Sequence, residues 1–430
     1  MLRNLLLIAS LVAINLHAAP VPVEITGEAG SFSLLRGGHP YTIRGAGTQV
    51  VDSLDSLKNN GGNSVRTWSS DVGELLDRAE ALGISVSVCL DVKRERHGFD
   101  YDDQSAVQKQ FETLRGEVLK YRDHPALLTW IIGNELNHSY TNPRVYDAVN
   151  DLSKMIHELD PHHPTTTATA GISKSLLEVI STRASDIDFL SVQVYGGIAN
   201  LDSDTSLLEF GKPIMVTEWG TKGHWEVPTT SWDAPLELTS SAKADFLRRG
   251  LRVLDSLSGV SIGSYVFLWG YKQERTPTWY GLFTADGGRT ESVEVMKAKW
   301  QPDQRANGVP RVLSFTLNGQ LPRDNIKLQA GQTYSADIDI ADPEDEPLTF
   351  SWRLMEESRA TQTGGDAEET PAEMSWLIEG NGPSVSIKAP REPGAYRLYV
   401  YAHDPENGVA HANIPFYVKV ASSKGDPNGD

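Results

Sequence analysis

The chain has 430 residues, a formal net charge of −18 and a hydrophobic fraction of 39%. That length exceeds what one hydrophobic core holds, so two domains are expected. The negative charge argues against a nucleic-acid partner and against anionic membrane surfaces, which both select cations. It is compatible with a neutral or cationic polymer outside the cytoplasm.

Residues 1–19 carry the marks of a secretory leader: Arg3 as a positive start, an apolar run over 5–16, and small Ala18 and Ala19 at the exit. His17 or Leu16 would fall where a leader prefers a small residue, so the cleavage signal is imperfect. The apolar run is short for a membrane span. No stable membrane insertion is expected, and the mature chain is expected to be secreted or periplasmic. The single cysteine, Cys89, falls inside a predicted strand, excludes an intrachain disulfide and reads as a small buried apolar residue.

From residue 41 short apolar strands alternate with amphipathic helices. Strands are predicted over 41–46, 63–68, 84–90, 126–134, 165–170, 188–195, 213–218 and 262–269. The helix before Gly83 keeps Leu75, Leu76, Ala79 and Leu82 at helical spacing. Asp160-Pro161 stops the helix that starts near 142. Alternation of this kind implies parallel strands with right-handed crossovers. Eight such units within 20–303 predict an α/β fold, a closed (β/α)8 TIM barrel. The alternative, an open doubly wound sheet, would favour a phosphate-binding glycine pattern after strand one; Gly45-Ala46-Gly47 is only a fragment of it.

A polar linker is predicted at 304–309. Beyond it, 310–421 reads as all-β, with six strands over 312–317, 334–340, 348–353, 385–389, 396–403 and 413–420. This is the pattern of an Ig-like sandwich. A polar, acidic insertion over 361–373 is expected to be a long loop, and 422–430 a disordered tail. Deletion after Gly308 is expected to leave an active barrel.

In such a barrel the site lies at the C-terminal strand ends. Two ends stand out. The stretch 126–137 reads Ala-Leu-Leu-Thr-Trp-Ile-Ile-Gly-Asn-Glu-Leu-Asn, and 213–220 reads Pro-Ile-Met-Val-Thr-Glu-Trp-Gly. Each is an apolar run that would be buried on both faces, ending in a carboxylate. The other ends add Arg66, Trp68, Asp91, Asn134, Tyr195, Trp219 and Trp269 as candidate substrate-binding residues. His162-His163 enters strand five from the opposite rim and reads as a solvated turn, so no metal and no cofactor is expected.

Two carboxylates across a cleft are the minimum set for glycoside hydrolysis: one protonated to assist the leaving oxygen, one ionised to attack. Glu135 is assigned as acid/base and Glu218 as nucleophile. Arg66 would hold Glu218 ionised and Tyr195 would bond its oxygen. Asn134 would hold the neighbouring sugar hydroxyl. Trp68, Trp219 and Trp269 would stack on the reacting sugar, with Trp225, Trp232 and Trp279 further along.

These residues resemble the clan A glycoside hydrolases, most closely the barrel domain of glycoside hydrolase family 2. Asp123-His124-Pro125 precedes Trp130-Ile131-Ile132-Gly133-Asn134-Glu135, and Thr217-Glu218-Trp219-Gly220 is similar to the family's nucleophile strand. Arg66, Tyr195 and Trp269 match clan positions on strands two, six and eight. The resemblance covers about residues 41–300 and implies retention of configuration through a covalent glycosyl-enzyme. It departs from the family in lacking β-sandwich domains before the barrel, so the substrates of β-galactosidases or β-glucuronidases are not carried over. The second domain resembles PKD-like or cadherin-like modules through its acidic turns at 341–348 and 404–408. The expected partner is an oligo- or polysaccharide, with β-glucans among the candidates and an extended cleft favoured by the Trp-rich loop after strand seven. Transglycosylation through the same intermediate, or glycan binding without catalysis, are the competing readings. Sugar, linkage and oligomeric state are not encoded legibly.

Overall fold

The computed structural model describes residues 19–303 and 308–420. All but the last residue of the leader predicted over 1–19, most of the linker and the tail from 421 lie outside the described residues. No helix among the described residues is long and apolar enough to cross a membrane.

Three short strands open the described chain: β1 (Val23–Thr26), β2 (Ser33–Arg36) and β3 (His39–Pro40), paired antiparallel. They lie before residue 41, where no strand is predicted. They plug the N-terminal mouth of the barrel: Val23 and Leu34 join Leu128, Phe189, Met215 and Tyr265 in one apolar cluster. The plug is tied to the entry turns through Val23 N–H to the His162 carbonyl at 2.8 Å and Phe32 N–H to the Gly259 carbonyl at 2.9 Å.

Eight parallel strands then close a barrel: β4 (Gly45–Gly47), β5 (Ser64–Arg66), β6 (Ser85–Leu90), β7 (Leu127–Asn134), β8 (Thr165–Ala170), β9 (Leu190–Gln193), β10 (Ile214–Trp219) and β11 (Ser261–Val266). The TIM barrel expected from the alternation is the fold found. Its helices are α1 (Ser53–Asn59), α2 (Gly73–Leu82), α3 (Gln104–Tyr121), α4 (Arg144–Leu159), α5 (Lys174–Arg183), α6 (Ser206–Phe210), α7 (Ser240–Ser256) and α8 (Glu291–Trp300). Asp103 caps α3 by accepting from the N–H groups of Ser105 and Ala106, and Thr239 caps α7. Every residue of β7 and β10 is buried, as strands covered on both faces must be. His163 is buried against Asp160, 2.8 Å away, and Asp160 also accepts the Trp130 indole N–H at 2.7 Å. That residue is therefore a core anchor rather than part of a solvated turn.

The second domain is a sandwich of two four-stranded sheets. One sheet orders β12 (Arg311–Leu317), β14 (Thr333–Ala341), β17 (Ser384–Lys388) and β16 (Ile378–Glu379). The other orders β13 (Lys327–Gln329), β19 (Val409–Lys419), β18 (Gly394–His403) and β15 (Thr349–Glu356). Phe315, Ile338 and Ile387 from the first meet Leu354, Leu398 and Phe416 from the second in the core. The short β13 and β16 were not anticipated, since two or three residues show no period. The acidic turns close on themselves: Asp342 Oδ1 accepts from the N–H of Glu346 at 2.9 Å, and Asp404 Oδ1 from that of Gly408 at 2.7 Å. Asp342, Glu346 and Asp404 also bring carboxylate oxygens within 4.8 Å of one another.

The two domains are not beads on a linker. Strand β18 is buried at seven consecutive positions and β19 at eight, which a sheet with one solvated face would not be. Their second face lies on the barrel. Arg397, fully buried, bonds the Pro235 carbonyl at 2.8 Å, Asn413 at 2.7 Å and Glu357 at 2.9 Å. Asn413 donates in turn to Glu237 at 2.6 Å. Glu237 is buried in the barrel's β10–α7 loop beside Lys243, with Thr278 donating to it at 2.9 Å. The Val409 N–H bonds the Arg289 carbonyl at 2.8 Å, extending the sandwich backbone onto the barrel. The expectation of a freely separable barrel conflicts with this interface, because deletion would strand Glu237 and Lys243 at a bared surface.

Candidate active site

Strand β7 ends at Asn134, and the chain turns there through two left-handed residues, Gly133 (φ +78°) and Glu135 (φ +52°). At Gly133 a Cβ would sit 2.6 Å from the Leu136 side chain, so only glycine fits. The bend lifts Glu135 off the sheet and its N–H bonds the Ala168 carbonyl at 2.8 Å. Glu218 projects into the same barrel mouth from β10. Both line a cavity of about 720 Å³, the size of a small-ligand pocket.

The two carboxyl groups have opposite surroundings. Glu218 accepts from three donors: Arg66 Nη1, the Trp68 indole N–H at 2.7 Å and the Tyr195 hydroxyl at 2.7 Å. An ionised carboxylate is acceptor-only, so three donors on two oxygens suit that form. Glu135 has no such set. Burial, and then the nearby charge of Glu218, push its carboxyl up to about 7, against the smaller pull of Arg66, Arg96 and Arg94.

Arg66 organises the floor. It is fully buried and splits its guanidinium between Glu218 and Asn134 Oδ1, the latter at 2.8 Å. Asn134 Oδ1 also accepts from Gln193 at 2.6 Å. With its carbonyl oxygen committed twice, Asn134 has its NH2 group left for a ligand. Tyr195 sits edge-on to Trp225, Phe267 and Tyr280 with ring centroids 5.6–5.8 Å away, so its hydroxyl is fixed on Glu218. Desolvation beside Glu218 holds that phenol well above its usual range, which keeps it a donor.

Not every expected residue reaches the cavity. Trp219 is fully buried on the outside of the barrel, where a Cβ on Gly250 of α7 would lie 3.1 Å from its ring. Trp269 follows β11 by three residues and packs between Phe283 and Trp300, with centroids 5.3 and 5.6 Å away. Asp91 is half exposed and pairs with Lys93 at 2.5 Å, away from the cavity walls. Trp279 turns its indole N–H to the Lys222 carbonyl at 2.9 Å, and Trp232 stands by Tyr417 of the sandwich. These five are corrections. Of the tryptophans named, Trp68 and Trp225 face the cavity, and Trp225 is 60% exposed at its rim.

Other wall residues went unread. Gln193 stands two before Tyr195, so strand alternation could have found it. Phe267, not Trp269, presents the aromatic face of strand eight. Arg94 donates to the Asn134 carbonyl at 3.0 Å. His224 is held neutral, its imidazole lowered to about 4 first by burial and then by Arg275. Residues 363–366 of the sandwich also form part of the wall.

No protein-family model matches the chain, and no curated protein matches it by sequence. Solved structures do match in fold. Bacteroides uniformis β-glucuronidase 2, covalently bound to cyclophellitol-6-carboxylate aziridine, superposes with a TM-score of 0.51 at 14% identity, over 93% of this chain and 48% of that one. A putative β-galactosidase from Bacteroides fragilis gives 0.50 at 15%, over 94% and 58%. The β-D-glucuronidase of Dictyoglomus thermophilum gives 0.52 at 19%, over 66% and 54%. The chain thus spans about half the length of these proteins. At such identities the likeness is one of fold: a closed eight-stranded parallel barrel with further all-β structure, as glycosidases carry it.

Proposed function

We propose that the protein is a retaining β-glycoside hydrolase, exported from the cytoplasm by its leader. One observation carries the reading: two glutamates from different strands line one sugar-sized cavity, and only one of them is held by three donors. Glu218 attacks the anomeric carbon as the glycosidic C–O bond breaks, and the Glu135 proton passes to the leaving oxygen. Glu135, now a carboxylate, takes a proton from water, whose oxygen displaces Glu218 from the same carbon. Two inversions give net retention. Arg66 and Tyr195 position Glu218, the Asn134 amide holds the adjacent hydroxyl, and Trp68 and Phe267 frame the ring.

The test is the Glu218→Ala variant assayed against a panel of nitrophenyl β-glycosides. Turnover is expected to fall on the order of 10⁴-fold or more. Added azide should restore release of nitrophenol and yield the α-glycosyl azide. A variant as active as the parent, or a β-azide product, overturns the assignment of Glu218.

A further inference from the structure

The acidic insertion of the sandwich lies across the rim of the barrel and not in solvent. It is tied down on both sides. On one side Asp366 pairs with Arg96 at 2.8 Å and with His97 at 3.1 Å, and the Thr363 hydroxyl meets His138 at 3.0 Å. These partners belong to the loops after β6 and β7. On the other side, after β11, Lys272 bonds the Gly365 carbonyl at 2.8 Å, Arg275 holds the Ala360 and Gln362 carbonyls, and the Arg275 N–H donates to Glu368 at 2.7 Å. The Glu368 side chain is 1% exposed. In barrel order β11 and β6 flank β4 and β5, so the segment bridges the rim above those two strands. Gly364 and Gly365, both at positive φ, let the backbone press on the cations: added Cβ atoms would stand 2.8 Å from Arg96 Nη2 and 3.0 Å from Lys272 Nζ.

A cleft for an extended glycan must run out through the rim on two sides. This strap crosses the rim on the β4–β5 side, where Thr363, Gly364, Gly365 and Asp366 form cavity wall. We propose that residues 360–368 of the sandwich form the end wall of the glycan site and confine the enzyme to the terminal sugar of a β-linked chain or to short β-glycosides. The inference rests on the glycosidase reading and replaces the extended cleft expected from the sequence. Arg275, which lies outside the wall, acts as a positioning residue for the strap.

Two full-length variants test this, one with 362–366 replaced by two glycines and one with Arg275→Ala. The substrates are nitrophenyl β-glycosides and reduced β-linked oligosaccharides of the same sugar. The parent should release single sugars only. The trimmed strap should raise KM for the short glycosides about tenfold, as loss of one or two hydrogen bonds does. It should add internal cleavage products, with the rise in KM exceeding any fall in kcat. Arg275→Ala should raise KM in the same direction, and it keeps the test standing if the trimmed chain does not fold. Unchanged KM and an unchanged product ladder in folded variants, or internal cleavage by the parent, overturn the proposal. A parent inactive on every glycoside instead removes the glycosidase reading itself, and this inference with it.

Discussion

Glu135 and Glu218 are one residue type in one cavity, and only their neighbours set them apart. A carboxyl raised to about 7 is half protonated at neutral pH and holds its proton below that, as the proposed delivery to a leaving oxygen requires. Activity should therefore fall as pH rises through about 7, and Glu135→Gln should abolish that alkaline limb. In that variant glycosides with poor leaving groups should lose about 10²–10⁴-fold and those with good ones far less. Equal losses on both would remove Glu135 from the acid role. The sign of the stability effect also follows. Between about 4.5 and 7 the folded chain binds a proton that the unfolded chain has released, so stability falls as pH rises through that window. Glu135→Gln should melt higher than the parent at pH 8, by on the order of 2–3 kcal/mol, and the gain should fade toward pH 4. The paired carboxylates, Arg66 and Tyr195 were legible because each ends a strongly patterned strand. Trp219 was misread although alternation alone sets it on the face opposite Glu218.

At the scale of elements, the end of strand eight was misread. β11 stops at Val266, so the chain from Phe267 onward follows a loop whose facing the period of a strand does not predict. Trp269 was lost to the outer packing for that reason. β18 and β19 hold a different lesson. Residues 396–402 run Tyr-Arg-Leu-Tyr-Val-Tyr-Ala without the polar alternation of a half-solvated sheet. That pattern already says that both faces are covered. The cover is α7 and the loop before it, with Lys243 and Glu237 buried as a pair next to Asn413. Burial pushes the Glu237 carboxyl up, and the charges of Lys243 and His411 with the hydrogen bonds from Lys243 and Thr276 outweigh it, leaving it at about 2. Lys243→Met should destabilise the fold by about 3–5 kcal/mol, because it leaves a buried charge without its partner. A melting curve that matches the parent would show that the pair is solvated in solution.

On the scale of the molecule, barrel and sandwich form one unit, which composition alone did not reveal. Sequence boundaries mark where a domain stops, not whether its surface is bare. A chain truncated after Gly308 should be insoluble or should melt well below the parent, since β19 no longer covers Glu237 and Ser240 and β12 no longer covers Ser241. The barrel's own eight strands were readable from alternation because helix and strand periods differ. The plug of β1 to β3 was not, being too short to carry a period. The strap at 360–368 was visible only as a polar insertion, because contacts made 85 to 270 residues away leave no local pattern.

On the proposed mechanism Glu218 becomes covalently glycosylated in each turnover. The direct measurement is peptide mapping by mass spectrometry after incubation with a panel of 2-deoxy-2-fluoro β-glycosides bearing good leaving groups. One added sugar is expected, on the peptide that contains Glu218, and none in Glu218→Ala. A sugar attached to any other residue, or release of leaving group with no adduct from every member of the panel, would contradict it.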